Sequence, residues 1–149
     1  MRRRRPSRAN GTPRLPDDSS QPDADQIRRA RRVRVVWIAW WIVLFVLTHW
    51  PKPPQVPTFR QSDKFVHFGA YFALAMLGGR VWIGLGRHIS GRSILTWWAI
   101  YAAYAAFDEL TQPIVGRACD FYDWLADVIG ATVALIIVWA YRPTANESA

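Results

Sequence analysis

Four stretches of this chain are each apolar over the length a bilayer demands, and little else in the sequence constrains the fold as strongly. They are "VRVVWIAWWIVLFVLTHW" (33–50), "FVHFGAYFALAMLGGRVWIGL" (65–85), "SILTWWAIYAAYAAFDELTQPIV" (93–115) and "FYDWLADVIGATVALIIVWAY" (121–141). A spanning helix takes about 20 mostly apolar residues, within a range of about 17–25. In lipid each backbone N–H and C=O must be satisfied within the protein, so such segments are expected to be helices. Their connections are short: 51–64 is rich in Pro, 86–92 in Gly and Arg, and 116–120 is a tight link. Short connections make consecutive helices antiparallel neighbours. The expected fold is therefore all-α, a polytopic membrane protein with four transmembrane helices in a compact antiparallel bundle. No internal repeat is visible. The nine Trp of the 149-residue chain suit membrane interfaces, where the ring sits among headgroups and its N–H stays wet.

Three regions follow. Residues 1–32 are rich in Arg, Pro, Asp and Ser without apolar periodicity, and read as a disordered basic cytoplasmic tail. Residues 33–141 form the membrane domain, and 142–149 a short cytoplasmic tail. The Arg-rich segment lacks interleaved aromatic residues and is interrupted by acids, so no nucleic-acid partner is expected. It suits the holding of membrane orientation and contact with anionic lipid. A cleaved signal peptide is disfavoured, because the first apolar run is followed by "HWPKPP" and not by a small-residue cleavage site.

Orientation follows from Lys/Arg asymmetry. With both termini cytoplasmic, fifteen of the nineteen Lys and Arg lie inside, and only Lys52, Arg60, Lys64 and Arg117 lie outside. The acids then sort without further choice. Asp17, Asp18, Asp23, Asp25 and Glu147 fall in the tails, while Asp63, Asp108, Glu109, Asp120, Asp123 and Asp127 fall at the extracytoplasmic ends of the second, third and fourth spans.

Helical spacing decides which of these groups share a face. Asp63, His67 and Tyr71 follow i, i+4, i+8, with Lys64 beside them. Tyr104, Asp108 and Gln112 repeat that spacing on the third span, Glu109 points about 100° away, and Arg117 follows in the turn. Asp120, Asp123, Asp127 and Gly130 form a stripe on the fourth. Carboxylates facing lipid at this depth are costly, about 2.5–3.5 kcal/mol each on insertion scales. The stripes are thus expected to face one another and build an outward-opening polar pocket lined by Asp63, Lys64, His67, Tyr71, Tyr104, Asp108, Glu109, Gln112, Arg117, Asp120, Asp123 and Asp127. Some of these groups also have plain structural readings. Arg117 with Asp120 or Glu109 suits an ion pair that docks helices, and Asp63 suits an N-cap. Gly130, with Ala126 and Ala134, suits close helix packing. The tyrosines suit packing with a hydroxyl partner.

Catalytic residues are not assigned by this pattern, and His67 and Glu109 are the candidates. There is no Gly-rich phosphate loop, no G-x-S-x-G and no credible nucleophilic Ser, since Ser62 opens a helix and Ser93 is cytoplasmic. The acids with one His would suit a hard or borderline cation. Zinc, however, normally takes several His or Cys ligands and only His67 is well placed, with His49 approaching from the first span and His88 on the opposite side. No metal or other cofactor is expected. Cys119 is the only cysteine, which excludes an intramolecular disulfide.

"SDKFVHFGAYFAL" resembles the D-K-x-x-H-F-x-x-Y block of VanZ-like membrane proteins. "DELTQPIVGRACDFYDWLADVIG" resembles that family's second block, E-x-x-Q, then G-R, D and N-x-x-G. "HWPKPP" resembles its outer boundary of the first span. The similarity covers 35–140 and carries over Asp63, Lys64, His67, Tyr71, Glu109, Gln112, Gly116, Arg117, Asp123 and Gly130; Asp127 departs from it, standing where the family usually has Asn. The resemblance implies a multi-pass protein of the bacterial cytoplasmic (inner) membrane and cell envelope, whose namesake is associated with resistance to the glycopeptide teicoplanin. Two functions are consistent with these residues. One is binding of an envelope lipid, lipid-linked cell-wall intermediate or glycopeptide in the outward pocket. The alternative is an intramembrane enzyme acting on lipid or polyprenyl-phosphate headgroups at the outer leaflet, with His67 as acid or base, Glu109 orienting it, and Lys64 and Arg117 holding phosphate. A transporter or proton relay is weaker, since only Arg80 continues the polar path toward the cytoplasm. Membrane lipids are the expected surroundings, and no oligomeric seam is legible.

Overall fold

A computed structural model describes residues 24–50 and 62–142. These residues are all-α, with no strand among them: α1 (Ala24–Thr48), α2 (Ser62–Gly84), α3 (Gly91–Thr111), a 3₁₀ turn (Gln112–Val115) and α4 (Phe121–Ala140). The expectations for 1–23, 51–61 and 143–149 lie outside the described residues.

Local chemistry explains the boundaries. Ser90 caps α3 reciprocally: its Oγ accepts from Ser93 N at 3.1 Å, and its own N–H donates to Ser93 Oγ at 2.8 Å. Asp120 caps α4 by accepting from Tyr122 N at 2.8 Å. The apolar stretch 93–115 is not one α-helix. Pro113 has no N–H to donate, so the chain tightens into a 3₁₀ turn after Thr111. Gly116 then reverses it with φ of 76°, a backbone angle that side chains disfavour. One boundary differs more. α1 starts at Ala24 and not at Val33, so Arg28, Arg29, Arg31 and Arg32, read from the sequence as tail, form its first turns. Arg is a good helix former, and an apolar helix already nucleated downstream extends through such residues at little cost.

Hydrogen bonds tie the helices at defined heights. Trp40 Nε1 donates to Ala70 O at 3.0 Å, joining α1 to α2, and Trp124 Nε1 donates to Ala102 O at 3.2 Å, joining α4 to α3. Tyr104 Oη donates to Trp41 O at 3.3 Å, joining α3 to α1. Small residues allow close approach. A Cβ on Gly130 would stand 2.3 Å from the Phe68 carbonyl oxygen, so α4 lies almost directly on the α2 backbone there. Ala75, Ala105, Ala131 and Ala134 are fully or almost fully buried around Tyr71, Leu74 and Tyr101.

The polarity is arranged oppositely to that of a water-soluble domain. Ile38, Ile42, Phe65, Val66, Leu95, Ile100, Phe107, Leu110 and Ile136 are exposed, whereas His67, Asp108, Glu109, Gln112, Asp123 and Asp127 are buried. Large outward apolar surface of this extent marks contact with something apolar. By length and composition, Asp63–Gly84 and Phe121–Ala140 are apolar enough to cross a membrane.

Candidate functional site

The buried polar groups collect at one end of the helices, where α2 and α4 begin and α1 and α3 finish. α2 contributes Asp63, Lys64 and His67 in its first turns. Asp63 is exposed and sits within the helix, which starts at Ser62, so it complements the helix dipole and is not the N-cap. Lys64 Nζ lies 2.8 Å from Asp123 Oδ1 and 3.1 Å from Asp120 Oδ2, bridging to the start of α4. One turn deeper, His67 Nδ1 is 3.1 Å from Asp127 Oδ1, while its Nε2 is 4.0 Å from Asp123 Oδ2. The i, i+4 spacing on α2 and the i, i+3, i+7 spacing on α4 thus build a ladder: Lys64 with Asp120 and Asp123, then His67 with Asp127.

α3 supplies two consecutive carboxylates that part company. Glu109 turns toward α4, accepting from Gln112 Nε2 at 2.7 Å through Oε1 and from the Asp120 backbone N–H at 3.0 Å through Oε2. Asp108 turns toward α1, where Thr48 Oγ1 donates to its Oδ1 at 2.7 Å and His49 Nδ1 stands 3.5 Å away. His49 Nε2 is 2.8 Å from Thr111 Oγ1. The cluster therefore has two lobes, one on α2, α3 and α4 around His67, and one on α1 and α3 around Asp108.

Several sequence expectations change here. Arg117 does not pair with Asp120 or Glu109. Its guanidinium donates to the carbonyls of Leu47 and Thr48 at 3.3 and 3.2 Å, capping the C-terminal end of α1. Those carbonyls are left open by the end of the helix, and the turn at Gly116 carries Arg117 past them. Tyr104 shares the Asp108 face but spends its hydroxyl on α1. Tyr71 is 1 % exposed and its hydroxyl has no partner among the described residues, contrary to the expected bonded tyrosine. Thr48 and Thr111 belong to the site and were missed. Their signal was faint: each stands within one residue of a group already suspected, Thr48 beside His49 and Thr111 beside Gln112. Finally, most of the lining is buried and mutually paired. Exposure is concentrated at a rim of Asp63, Lys64 and Asp120, the side chains of the last two being 36 and 43 % exposed.

A single histidine argued against a metal in the sequence, yet folding concentrates donors around it. One ligand atom each from His67, Glu109 and Asp127 lie within 4.8 Å of one another, and the same holds for Asp63, His67 and Asp123. The first set is buried throughout. Two carboxylate oxygens at this level, Asp127 Oδ2 and Asp108 Oδ2, have no hydrogen-bond partner among the described residues.

An all-helical chain with an apolar exterior, two helices of bilayer length and ionisable groups turned inward belongs to the class of membrane proteins. The family model for VanZ/LLP1 matches residues 17–142, and the chain belongs to that family. No curated protein and no solved structure matches it.

Proposed function

We propose that this chain is a multi-pass protein of the bacterial cytoplasmic membrane, its four helices forming a compact antiparallel bundle with both termini in the cytoplasm. The polar cluster then lies at the extracytoplasmic end and receives the polar part of an envelope molecule: a lipid headgroup, a lipid-linked cell-wall intermediate or a glycopeptide. In a host exposed to glycopeptides it contributes to teicoplanin resistance.

The observation that carries the reading is the ladder from rim to interior. Lys64, half-exposed, holds Asp120 and Asp123, and His67 below it holds Asp127. An arriving anionic or hydroxyl-rich group meets a cation whose present partners are carboxylates it can displace, while the interior acids fix the helix starts around it. The charge distribution supports the orientation. Arg28, Arg29, Arg31, Arg32 and Arg34 lie toward the start of α1, and Arg80, Arg87, Arg92 and Arg142 lie at the same end. Arg87 and Arg142 stack on Trp82 and Trp139, at 5.5 and 3.3 Å from the ring centroids, as cations do at an interface.

The test is the teicoplanin inhibitory concentration in a sensitive host carrying empty vector, wild type, His67→Ala or Glu109→Gln. Wild type is expected to raise it and the variants to lose that gain. Equal sensitivity in all four removes the resistance reading.

A further inference from the structure

We infer that His67, Glu109 and Asp127 form a seat for one divalent transition-metal ion, of the zinc or manganese class, inside the α2, α3 and α4 end of the protein.

Donor geometry comes first. With ligands at about 2.0–2.1 Å, neighbouring donors of a tetrahedral or octahedral ion stand about 3.0–3.4 Å apart, and opposite donors of an octahedral ion about 4.2 Å apart. His67 Nδ1 and Asp127 Oδ1 are already 3.1 Å apart, and the three donors lie within 4.8 Å of one another.

Unmet valence is the second observation. Asp127 has no exposed surface, and its Oδ2 has no hydrogen-bond partner among the described residues. Its other oxygen stands 3.1 Å from His67 Nδ1, a spacing that neighbouring donors on one ion adopt, so the carboxylate can present either oxygen to the ion. A carboxylate oxygen without a partner in so dry a place is costly. The remaining His67 nitrogen faces Asp123 at 4.0 Å, beyond hydrogen-bond length but near enough for that carboxylate to attract and orient the ring from outside the site. Gln112 Nε2 and the Asp120 backbone N–H play the same part for Glu109.

Charge balance points the same way. Asp108, Glu109, Asp123 and Asp127 are all at least nine-tenths buried. Lys64 is committed to Asp123 and Asp120, and Arg117 to the carbonyls of α1. Among the described residues that leaves His67, and His49 beside Asp108, facing acids that outnumber them, and a dication redresses that excess. The mixed set of one imidazole nitrogen with carboxylate oxygens suits zinc or manganese better than calcium or magnesium, which prefer oxygen alone.

The experiment uses the full chain purified in detergent and stripped with a chelator. Equilibrium dialysis against Zn²⁺, Mn²⁺ or Mg²⁺ is followed by elemental analysis, and the melting temperature is measured with and without each ion. Wild type is expected to retain about one Zn²⁺ or Mn²⁺ per chain and to melt higher with it, because an ion bound only by the folded state stabilises that state. Asp127→Asn keeps the side-chain shape and is expected to weaken binding about tenfold or more, as is His67→Gln, while Asp25→Asn, exposed at the far end of α1, retains the ion. Sub-stoichiometric zinc and manganese in folded wild type, or unchanged affinity and unchanged melting response in Asp127→Asn, overturns the site. If a variant fails to fold, the wild-type stoichiometry and its melting shift still decide.

Discussion

Gly130→Ala isolates the contact on which the site geometry depends. The added Cβ would meet the Phe68 carbonyl oxygen at 2.3 Å and the Phe68 carbonyl carbon at 3.0 Å. Both atoms are main chain, so no side chain can swing away. Ordinary carbon–oxygen contacts are longer than about 3.2 Å, and α2 must retreat from α4 by about 1 Å at this level. His67 neighbours Phe68, and Asp127 lies one turn before Gly130. A retreat of that size stretches the 3.1 Å His67–Asp127 contact to about 4 Å, beyond hydrogen-bonding range. Overpacking costs about 1–3 kcal/mol. Loss of a hydrogen bond to a charged group adds about 1.5–3 kcal/mol, and the better helix propensity of Ala returns at most about 1 kcal/mol. The expected net loss is about 1.5–6 kcal/mol.

Two companions make the result interpretable. Gly69→Ala, with nothing within 4 Å of the new Cβ, is expected to be neutral or slightly stabilising. Gly79→Ala places its Cβ 2.4 Å from Val138 Cγ2, a side-chain clash, and Val138→Ala should relieve it. No trimming of a neighbour's side chain should rescue Gly130→Ala. Unfolding of the purified protein in mixed micelles by dodecyl sulfate, followed by Trp fluorescence, measures all four. If Gly130→Ala comes within about 0.5 kcal/mol of Gly69→Ala, the proposed α2–α4 contact does not exist as described.

Other expectations follow from single contacts. Lys64→Met leaves Asp123 buried without its cation and should destabilise by about 1 kcal/mol, kept small by the exposure of Lys64; adding Asp123→Asn should recover most of the loss in a double-mutant cycle. Arg117→Met removes both hydrogen bonds that Nη1 donates to the α1 carbonyls and should cost about 1 kcal/mol in the same unfolding assay, with Arg117→Lys intermediate. Cys119 is exposed in the link before α4, so a membrane-impermeant maleimide should label it in intact spheroplasts; labelling only after lysis would reverse the proposed orientation. Tyr71→Phe deletes a buried hydroxyl without a partner and should leave stability within about 0.5 kcal/mol of wild type or raise it, whereas a clear loss would reveal a partner for that hydroxyl.

What the sequence determined by itself was a matter of periodicity and composition. Apolar runs of bilayer length, with Pro and Gly between them, dictate helices, because a helix satisfies its backbone hydrogen bonds within one continuous segment in an apolar setting. The 3.6-residue repeat puts Asp63, Lys64, His67 and Tyr71 near one face of α2 and Asp123, Asp127 and Gly130 on one face of α4, whatever those helices meet. Periodicity is silent, however, about how each helix is rotated against its neighbours. That rotation sends Asp108 to Thr48 and His49 of α1, while the next residue, Glu109, goes to Gln112 and Asp120. It also takes Arg117 from the acids to which its charge pointed and gives it to two carbonyls opened by the end of α1. Such choices are made by packing, chiefly by the absence of a side chain at Gly130, which lets α4 settle on the α2 backbone and brings Asp127 to His67. An acid two turns into the fourth span was visible in the sequence; that one of its oxygens would have no partner among the described residues, beside an imidazole and a second carboxylate, was decided only when three helices closed around it.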